Sequence, residues 1–460
     1  MRDCLVVGSG VAGLVAALEL ARNGCKVTLV EAKKHCGGRA YSFSDPRTGM
    51  EVDNGQHLIM GCYSVFLGFL KDIGADHKLR RVSPLRIPFR HASGQRAELK
   101  LRTGSGKSGV VRGILGFRAL PLKDRFRALR VGAALQSLDE RKLGALDGET
   151  AAHWLAGLGQ SEEAIRNLWS VICLATLNTK PERASAKMLA VVLKEVFFGV
   201  RDASDLLLPE VSLTRLYVDD ALRELSRRNG TIVTGNGVRR LVVNNGIVCG
   251  VVLKDGMLLE PSAVVLATPW KETGKLAGSL WPDETLSAVV SRLSPSPIYS
   301  LTFFIEKPIT TEPMLGLLGT NIQWIFTRKI VRDLWMHTCV ISAAVFEEGR
   351  PPQADVFKEL EHLFPELEKF QPRGIRTLLE RSATFEATPG LERIRPGPRT
   401  PARNLFLAGD WTDTGLPSTL EGAARSGYTA ADMVTSYLEE VCDVEPGTAT
   451  KFPRHRAEIP

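Results

Sequence analysis

Three glycines near the N-terminus have the spacing of a turn that binds a dinucleotide. Gly8, Gly10 and Gly13 follow a short apolar stretch and lead into an apolar helical pattern. In such a turn the first glycine permits the tight bend, the second lets the backbone approach a pyrophosphate, and the third lets helix and strand pack closely. The helix start at Val11 and Ala12 offers free N–H groups and a positive dipole end to that pyrophosphate.

An acid stands where this arrangement contacts a ribose. Glu31 follows a second apolar strand, Lys26 to Val30, and precedes Ala32. Its carboxylate would accept hydrogen bonds from the ribose hydroxyls of an adenosine and would repel a 2′-phosphate, so the pattern favours FAD or NAD over NADP. The alternative is a secretory signal peptide, since Leu5 to Ala21 are largely apolar, but the acidic Asp3 and the glycine spacing argue against it.

A glycine pair and a dense polar segment come next. Gly38 and Arg39 end a Gly-Gly-Arg tripeptide, in which the glycines let the backbone run beside a cofactor and the arginine can bind phosphate or a flavin edge. By itself such a tripeptide is more often only a turn. Polar residues then cluster at Asp53 to His57 between apolar runs. We assign Gln56 and His57 to the cofactor environment, with a purely structural histidine as the alternative.

A strand that ends in an acid, followed by a helix, forms a second pattern near the C-terminus. The strand covers Asn404 to Asp410, and Ser418 and Glu421 have the spacing of a capping box at the start of the helix. Small residues on the first turns allow close backbone approach, and the helix N-terminus directs N–H groups at an electron-rich group. The cofactor contacts predicted here are Gly409, Asp410, Thr419, Glu421, Gly422 and Ala423.

Composition limits the class of protein. The chain has 460 residues, 44% of them hydrophobic, which is enough for two domains. No stretch of about 18 residues is free of charge and glycine, so we expect membrane contact to be peripheral. The eight cysteines are scattered without a C-x-x-C spacing, which argues against a disulfide framework and a metal site and favours a reducing cytoplasm.

Positive charge is concentrated in one region. The net charge is +8, yet Lys78 to Arg130 contain fifteen Lys or Arg against two acids, Glu98 and Asp124. The basic residues alternate with apolar ones such as Ile114 and Phe117, as expected of a segment in a lipid headgroup layer, although a merely solvated face has the same composition. Nucleic acid is disfavoured because few aromatic residues are available for base stacking. We therefore predict that residues 78–130 dock on an anionic membrane surface.

The N-terminal and C-terminal patterns together resemble the amine oxidase and phytoene desaturase superfamily of FAD enzymes. The glycine turn and the sequence A-G-D-W-T…T-L-E-G-A-x-x-S-G lie about 400 residues apart, and a plain NAD dehydrogenase has no use for the second. The resemblance implies that Asp410 binds the ribityl or phosphate region of FAD. It also implies that the helix opened at Glu421-Gly422-Ala423 lies under the flavin ring, and that Gly37-Gly38-Arg39 is a second flavin contact.

Within that superfamily the chain resembles the squalene-associated FAD enzymes, the hydroxysqualene dehydroxylases of bacterial hopanoid pathways. Four stretches carry this resemblance: Asp53–Tyr63, Leu174–Ala186, Ala203–Pro209 and Gly409–Gly415. It implies that an allylic C30 alcohol loses its hydroxyl and receives hydride from reduced FAD, giving squalene. With the cysteine pattern and the basic region, we expect a cytoplasmic, peripherally membrane-associated enzyme. The protein would supply an apolar tunnel and a proton for the leaving hydroxide. Upstream and downstream squalene and hopanoid enzymes are the implied partners.

Two alternatives stay open. Carotene desaturases share the first and last motifs in a looser form and would use oxidised FAD to lengthen a polyene. Rab escort and GDP-dissociation-inhibitor proteins resemble the superfamily's fold and bind prenyl lipids without catalysis. They lack a complete flavin constellation, whereas the glycines, Glu31, Arg39 and Asp410 are all present here, which favours an enzyme.

The proton donor has two candidates. His57 follows the polar turn, and Asp413 lies three residues after Asp410. A carboxyl group in an apolar pocket has a raised pKa and can stay protonated at neutral pH, whereas a histidine there tends to lose its proton. We therefore predict Asp413 as the acid and His57 as the second candidate. The alternative for Asp413 is a structural role in the turn of residues 412–418.

The element order predicts an α/β fold whose cofactor domain is discontinuous in sequence. Residues 148–199 have helical patterns, with Thr150 and Ser161 as caps of the first two helices and a third helix from Ser185 to Phe198, and residues 295–350 alternate as strands do. We predict a Rossmann-like FAD-binding domain, with Val238 at the cofactor, and a helical and antiparallel-sheet substrate domain. The predicted bounds are 1–75, 205–290 and 402–441 for the first, 76–204 and 291–401 for the substrate and membrane-facing domain, and 442–460 for a flexible tail.

Overall fold

The computed structural model describes residues 2–46, 48–101, 107–200, 202–280, 285–342, 346, 353–369 and 372–443. The predicted tail lies outside the described residues from residue 444 onward. The strands are β1 Asp3–Val7, β2 Lys26–Glu31, β3 Ser42–Ser44, β4 Glu51–Asp53, β5 Ile59–Met60, β6 Leu79–Val82, β7 Leu85–His91, β8 Arg96–Leu101, β9 Leu206–Pro209, β10 Thr231–Thr234, β11 Val238–Asn244, β12 Ile247–Leu253, β13 Leu258–Leu259, β14 Ala263–Leu266, β15 Pro295–Ile305, β16 Met314–Leu318, β17 Trp324–Val331, β18 Leu334–Ser342, β19 Gly374–Phe385 and β20 Leu405–Leu407. The helices are α1 Val11–Arg22, α2 Ser64–Asp72, α3 Lys107–Gly116, α4 Leu122–Ser137, α5 Glu140–Ala145, α6 Ala151–Gly157, α7 Glu162–Ala164, α8 Ser170–Leu177, α9 Ala186–Phe198, α10 Asp219–Arg227, α11 Trp270–Ala277, α12 Thr285–Arg292, α13 Gln353–Leu363 and α14 Leu420–Asp443.

A five-stranded parallel sheet forms the centre of the cofactor side. Its strand order is β10-β2-β1-β14-β20, so three distant parts of the chain contribute neighbouring strands. β1 and β14 are apolar and almost wholly buried, as expected of parallel strands covered on both faces. Helices α1 and α14 pack so closely that a Cβ on Gly427 would lie 2.4 Å from the carbonyl oxygen of Ala12, so this approach needs glycine. The first and last motifs therefore meet on one sheet.

A seven-stranded sheet forms the other side of the molecule. Its order is β19-β15-β18-β17-β16-β7-β8, antiparallel except where β16 pairs with β7. Side chains of β15, β17 and β18 share a core with α13, while side chains of β7, β8 and β16 share one with α4, α6 and α9. Helices therefore cover this sheet. The helices predicted within residues 148–199 and the strands predicted from residue 295 are present, the latter as far as residue 342, where the described stretch ends.

Local signals account for several helix ends. The side chains of Thr150 and Ser161 each accept a hydrogen bond from the N–H group three residues later, at 3.3 and 3.1 Å, so these two predicted caps are confirmed. Ser185, predicted as the first residue of a helix, is the cap of α9, and its hydroxyl accepts from the Met188 N–H group at 3.3 Å. The capping box predicted at Ser418 and Glu421 is wrong. Helix α14 begins two residues later than Ser418, and the Thr419 Oγ1 atom caps it.

Two stretches that carried the family resemblance pack against each other in a small sheet of β5, β9 and β6. A Cβ on Gly61 would lie only 1.9 Å from the carbonyl oxygen of Asp202, so glycine is required for this approach. The Gly61 N–H group donates to the carbonyl oxygen of Asp205 at 2.8 Å. Their contact is structural, and it holds the start of α2 in place. None of the helices described is long and apolar enough to cross a membrane.

Candidate cofactor site

The glycine turn between β1 and α1 has a backbone that excludes side chains. Gly8 has a φ of +101°, and a Cβ there would lie 2.5 Å from the carbonyl oxygen of Ala267 at the end of β14. A Cβ on Gly13 would lie 1.8 Å from the carbonyl oxygen of Gly8. Both positions therefore need glycine, the first for its left-handed backbone and the second for close packing.

A second loop approaches this turn and completes a cradle. Gly38 has a φ of +65°, and a Cβ there would lie 2.9 Å from the Cα atom of Gly10. The Gly37 N–H group donates to the carbonyl oxygen of Ser9 at 2.9 Å. Helix α1 has Gly10 as its N-cap and no side-chain cap, so its first N–H groups are open to a pyrophosphate. These residues fit a bound dinucleotide such as FAD.

Glu31 lies buried at the end of β2 beside the turn. The Ser9 N–H and hydroxyl groups donate to its Oε2 atom at 2.9 and 2.6 Å, and the Lys33 N–H group donates to its Oε1 atom at 2.9 Å. Oε2 already accepts two bonds, whereas Oε1 accepts one and keeps a site that is available to a ribose hydroxyl. The predicted contacts Ala32 and Val238 lie at the same edge, since a Cβ on the adjacent Gly237 would lie 2.8 Å from that of Ala32.

An ion pair connects the N-terminal and C-terminal motifs. Arg39 Nη2 lies 2.5 Å from Asp410 Oδ1, and Arg39 Nη1 donates to the carbonyl oxygen of Ala383 at 3.0 Å. The Ser418 hydroxyl donates to the other oxygen of Asp410. Burial raises the pKa of Asp410, but the charge and hydrogen bond of Arg39 outweigh burial, so the pKa is lowered and the carboxylate is ionised. Asp410 is thus connected to the glycine cradle through Arg39, the residue that follows Gly38.

Arg395 organises the loop that follows Asp410, and its role was not predicted. Its side chain is fully buried and forms an ion pair with Glu392 at 2.7 Å. The guanidinium donates to the carbonyl oxygens of four loop residues: Asp410, Trp411, Thr412 and Leu416. No motif marks this arginine in the Pro-rich segment, because its partners are backbone atoms.

The 37–40 loop is fixed by residues that the sequence motifs only partly revealed. The buried Tyr217 hydroxyl lies 3.1 Å from the carbonyl oxygen of Gly37. Asn54 donates to the carbonyl oxygen of Arg39 at 2.9 Å and to Glu380 at 3.3 Å. Glu380 sits in β19 without any local signal in the sequence. These contacts hold the arginine in place from three separate parts of the chain.

Asp53 and Gln56 have structural partners in the polar segment. The Asp53 carboxylate accepts hydrogen bonds from the Ser42 hydroxyl at 2.6 Å and from the Leu213 N–H group at 3.0 Å. Gln56 donates to the same carboxylate at 3.3 Å. These hydrogen bonds fix the segment as a turn. The cofactor contact predicted for Gln56 stays a prediction.

His57 lies in the same turn, with its Nδ1 atom 3.2 Å from the carbonyl oxygen of Gly55. Burial lowers the pKa of His57, and although Gly55 and Asp53 oppose this effect, the net direction is downward, with Arg39 adding to it. A neutral ring that donates from Nδ1 presents Nε2 as an acceptor. His57 therefore suits orientation of a hydroxyl group better than protonation.

Asp413 does not have the apolar surroundings on which its predicted role depended. Its side chain is exposed, and its N–H group donates to the carbonyl oxygen of Pro396 at 2.8 Å. It borders a cleft of about 350 Å³ that Arg425 and Tyr428 of α14 also line. The premise of a buried carboxyl is wrong, because the loop turns this side chain to the surface.

Glu421 connects two helices. Its buried carboxylate accepts hydrogen bonds from the Val65 and Phe66 N–H groups at the start of α2, at 3.1 and 2.9 Å, and from Arg425 at 2.9 Å. This contact caps α2 from another helix, which local sequence spacing could not indicate. The other predicted contacts lie at the same helix end, with Thr419 as the cap of α14 and Gly422 and Ala423 in its first turn. Gly409, with a φ of +145°, donates to Ser426 at 2.8 Å.

Across the described parts of the chain, His, Cys, Asp and Glu side chains form no group of three that could hold a metal ion. The charged groups brought together at this site are instead Arg39, Glu380 and Asp410. They lie beside open helix N–H groups, a set that can hold a phosphate-bearing redox cofactor and fix its orientation.

Comparison with known proteins agrees with this geometry. The flavin containing amine oxidoreductase family matches residues 11–298 and 353–435. Hydroxysqualene dehydroxylase of Sinorhizobium fredii is 28% identical over 94% of this chain and 98% of its own length. The enzyme of that name from Rhodopseudomonas palustris is 30% identical over 93% and 97%. A zeta-carotene desaturase of a Synechocystis strain is 24% identical over 93% and 96%.

Solved structures have the same fold. The crystal structure of an oxidoreductase from Methanosarcina mazei has a TM-score of 0.74 at 17% identity, over 94% of this chain and all of that one. Together these similarities confirm the α/β fold class and FAD as the cofactor predicted from the sequence.

Proposed function

We propose that this chain, which belongs to the flavin containing amine oxidoreductase family and is an FAD-dependent oxidoreductase, removes the hydroxyl group of hydroxysqualene to give squalene. One observation carries the proposal. Relatives named for that activity are 27 to 30% identical along nearly their whole length, whereas the zeta-carotene desaturases among the relatives are 21 to 24% identical. We place the reaction in bacterial squalene and hopanoid synthesis, as the sequence resemblance implies.

The apolar helices support an apolar substrate. α8 and α9 carry half-buried apolar side chains, among them Ile172, Leu174, Val192 and Phe197. Asn178, at the end of α8, donates to the carbonyl oxygen of Ser296 at 3.1 Å and to the Thr384 hydroxyl at 3.2 Å. These bonds fix the end of α8 against β15 and β19. Because β19 also carries the Ala383 and Glu380 contacts of the cofactor site, the helices lead toward that site.

The reaction is a two-electron reduction. A carbon–oxygen bond of the substrate breaks, a carbon–hydrogen bond forms, and the oxygen leaves as water after taking up a proton. FAD, when bound and reduced, supplies the hydride. The chain holds the cofactor with the glycine cradle, Arg39 and Asp410. We assign His57 Nε2 as the acceptor that orients the substrate hydroxyl.

The test is an assay with the FAD-loaded, reduced enzyme without oxygen. Hydroxysqualene should be converted to squalene, one molecule for each reduced flavin. If the reduced enzyme leaves hydroxysqualene unchanged and the oxidised enzyme instead adds double bonds to zeta-carotene, the dehydroxylase proposal is overturned in favour of a desaturase. If the protein binds a prenyl lipid but retains no flavin, it is a binding protein.

We also propose that α3 and α4 dock the protein on an anionic membrane surface. Val111, Leu122 and Phe126 are 38, 61 and 56% exposed, and basic residues such as Arg112 and Arg118 accompany them. Exposed apolar side chains among bases are typical of peripheral membrane segments. Replacing Leu122 and Phe126 by Ser should lower binding to vesicles of phosphatidylglycerol, and unchanged pelleting would contradict this role.

A further inference from the structure

A second cavity lies at the edge of the molecule opposite the cofactor site. It has a volume of about 920 Å³ and is lined by β7, β8, the side of α3 that faces them and residues 309–315. The cofactor site meets the seven-stranded sheet at β19, and β8 is the opposite edge. At the usual strand spacing the two edges lie roughly 30 Å apart. The cavity is therefore not part of the cofactor site.

The strand register places like charges opposite each other at this cavity. β7 and β8 are antiparallel, with Arg86 directly opposite Lys100 and Arg90 directly opposite Arg96. Pro88 lies between them on the same face of β7, opposite Glu98, and the buried Phe89 also borders the cavity. Like charges directly opposite on one face of a sheet destabilise the pairing. Because Glu98 and Glu312 pair with Arg86, the repulsion between Arg90 and Arg96 is the cost that a ligand of opposite charge would remove.

Acidic residues do not neutralise the cavity. Its basic lining residues are Arg86, Arg90, Arg96, Lys100, Arg112 and Arg118, and its acids are Glu98 and Glu312. Both acids are paired with Arg86, at 2.7 and 2.8 Å. The remaining lining bases thus outnumber the acids and create a positive potential inside a concave surface, which attracts anions.

Arg90 gives the most specific sign of a ligand. Its guanidinium stacks on the Phe364 ring at 4.5 Å, which fixes the plane of the group. Its Nε atom is buried and has no hydrogen-bond partner in the described structure. A buried donor without an acceptor costs free energy, and a planar arginine edge matches two oxygens of a phosphate.

Helix α3 is held against the strands by a glycine. A Cβ on Gly113 would lie 2.5 Å from the carbonyl oxygen of Lys100, so only glycine lets the helix lie this close to β8. This contact brings Arg112 to the same cavity as Arg90 and Arg96. The bases therefore converge from two strands and one helix.

We propose that this cavity binds a phosphate or diphosphate group, a function separate from the proposed reductive dehydroxylation. Two sources have this chemistry. One is a soluble phosphate ester or diphosphate, and the other is the headgroup of an anionic phospholipid on the membrane. Arg90, Arg96 and Arg112 are the residues that contact the phosphate oxygens.

The experiment uses the FAD-loaded full-length protein and two probes. Inorganic diphosphate is titrated by calorimetry, and vesicles of equal parts phosphatidylcholine and phosphatidylglycerol are used for flotation. The variant Arg90→Gln/Arg96→Gln is compared with Arg141→Gln/Arg332→Gln, which removes two exposed arginines elsewhere. Flavin content and thermal unfolding show whether each variant is folded. If the double variant is unstable, the single variant Arg96→Gln, at an exposed position, replaces it in both binding experiments.

We expect the cavity variant to lose roughly ten-fold or more in affinity for at least one probe, since charge-assisted bonds to an anion are removed, with the control at the wild-type level. Loss of diphosphate binding with unchanged vesicle binding identifies a soluble ligand. Loss of vesicle binding without diphosphate binding identifies a lipid headgroup. If the cavity variant and the control bind both probes equally well, the proposal is overturned. Hydroxysqualene turnover is measured separately, so that failure of the proposed dehydroxylation can be distinguished from failure of this proposal.

Discussion

At the cofactor site opposite charges are paired, whereas at the cavity lined by β7, β8 and α3 like charges face each other. At the cofactor site Arg39 pairs with Asp410, Arg395 pairs with Glu392, and Glu31 accepts three hydrogen bonds from the chain itself. At the cavity Arg90 faces Arg96, and Arg90 keeps a buried donor without a partner in the described residues. Paired charges fix loops so that backbone N–H groups can meet a cofactor, whereas unpaired like charges favour an incoming anion.

The largest expected effect comes from removing one member of a charge pair at the cofactor site. Arg395→Met removes the ion-pair partner of Glu392 and the guanidinium that donates to four carbonyl oxygens. We expect a loss of about 3 to 5 kcal/mol in the free energy of unfolding, with loss of FAD. Denaturant unfolding and flavin absorbance measure both. The exposed Arg399→Gln is the control, and equal stability of the two variants would contradict the role of Arg395.

The second test concerns Glu31. Glu31→Ala removes the acceptor for ribose hydroxyls and leaves the Ser9 and Lys33 N–H groups unpaired. Each charge-assisted bond lost is worth about 1.5 to 3 kcal/mol, so FAD should dissociate at least ten-fold more readily. Equilibrium dialysis of FAD measures the change, with Glu31→Gln as the conservative variant. Unchanged flavin retention would remove Glu31 from the site.

The third test uses pH. The pKa of Asp410 is lowered below its ordinary 3.8, so ionisation of this group stabilises the folded state above that value. This stability is lost as the pH falls below about 3.8 through the lowered pKa. Asp410→Asn should therefore cost about 2 kcal/mol at pH 7 and progressively less in acid, because carboxyl groups common to both proteins cancel. A difference that is constant with pH would show that the charge of Asp410 does not matter.

The fourth test separates the two predicted catalytic residues. His57→Gln should lower kcat for hydroxysqualene about ten-fold, worth ~1.4 kcal/mol, because the substrate hydroxyl loses an oriented acceptor. Asp413→Asn should turn over at nearly the wild-type rate because Asp413 is exposed. Flavin content is checked in both. If Asp413→Asn alone loses turnover while retaining FAD, Asp413 is the acid despite its exposure.

The smallest expected effect concerns stability at the cavity lined by β7, β8 and α3. Arg96→Gln removes one member of a like-charge pair, so the free energy of unfolding should stay equal or rise by about 0.2 to 1 kcal/mol in low salt. Thermal unfolding at low and high salt checks this, since salt screens the repulsion and should abolish the gain. A clear loss of stability would mean that Arg96 is held by the fold rather than kept for a ligand.

Features that depend on short stretches were predictable from the sequence. The glycine turn and its acid followed from residue type and spacing, and the caps at Thr150 and Ser161 rest on hydrogen bonds to the N–H group three residues later. The C-terminal strand and helix followed from the same kind of pattern, although the cap was Thr419 rather than Ser418. Together with the spacing of the two motifs, these signals were enough for the fold class and the cofactor.

The tertiary structure decided which distant groups meet. Arg395 binds carbonyl oxygens, which carry no residue-specific signal, and Glu380 reaches the site from β19. The carboxylate of Glu421 caps another helix, and its predicted contact with the cofactor stays a prediction. Burial is likewise a property of the whole fold, so the exposed side chain of Asp413 could not be foreseen from its place beside Asp410. Residue type and spacing determine local geometry, whereas partners and solvent exposure depend on how the sheets and helices assemble.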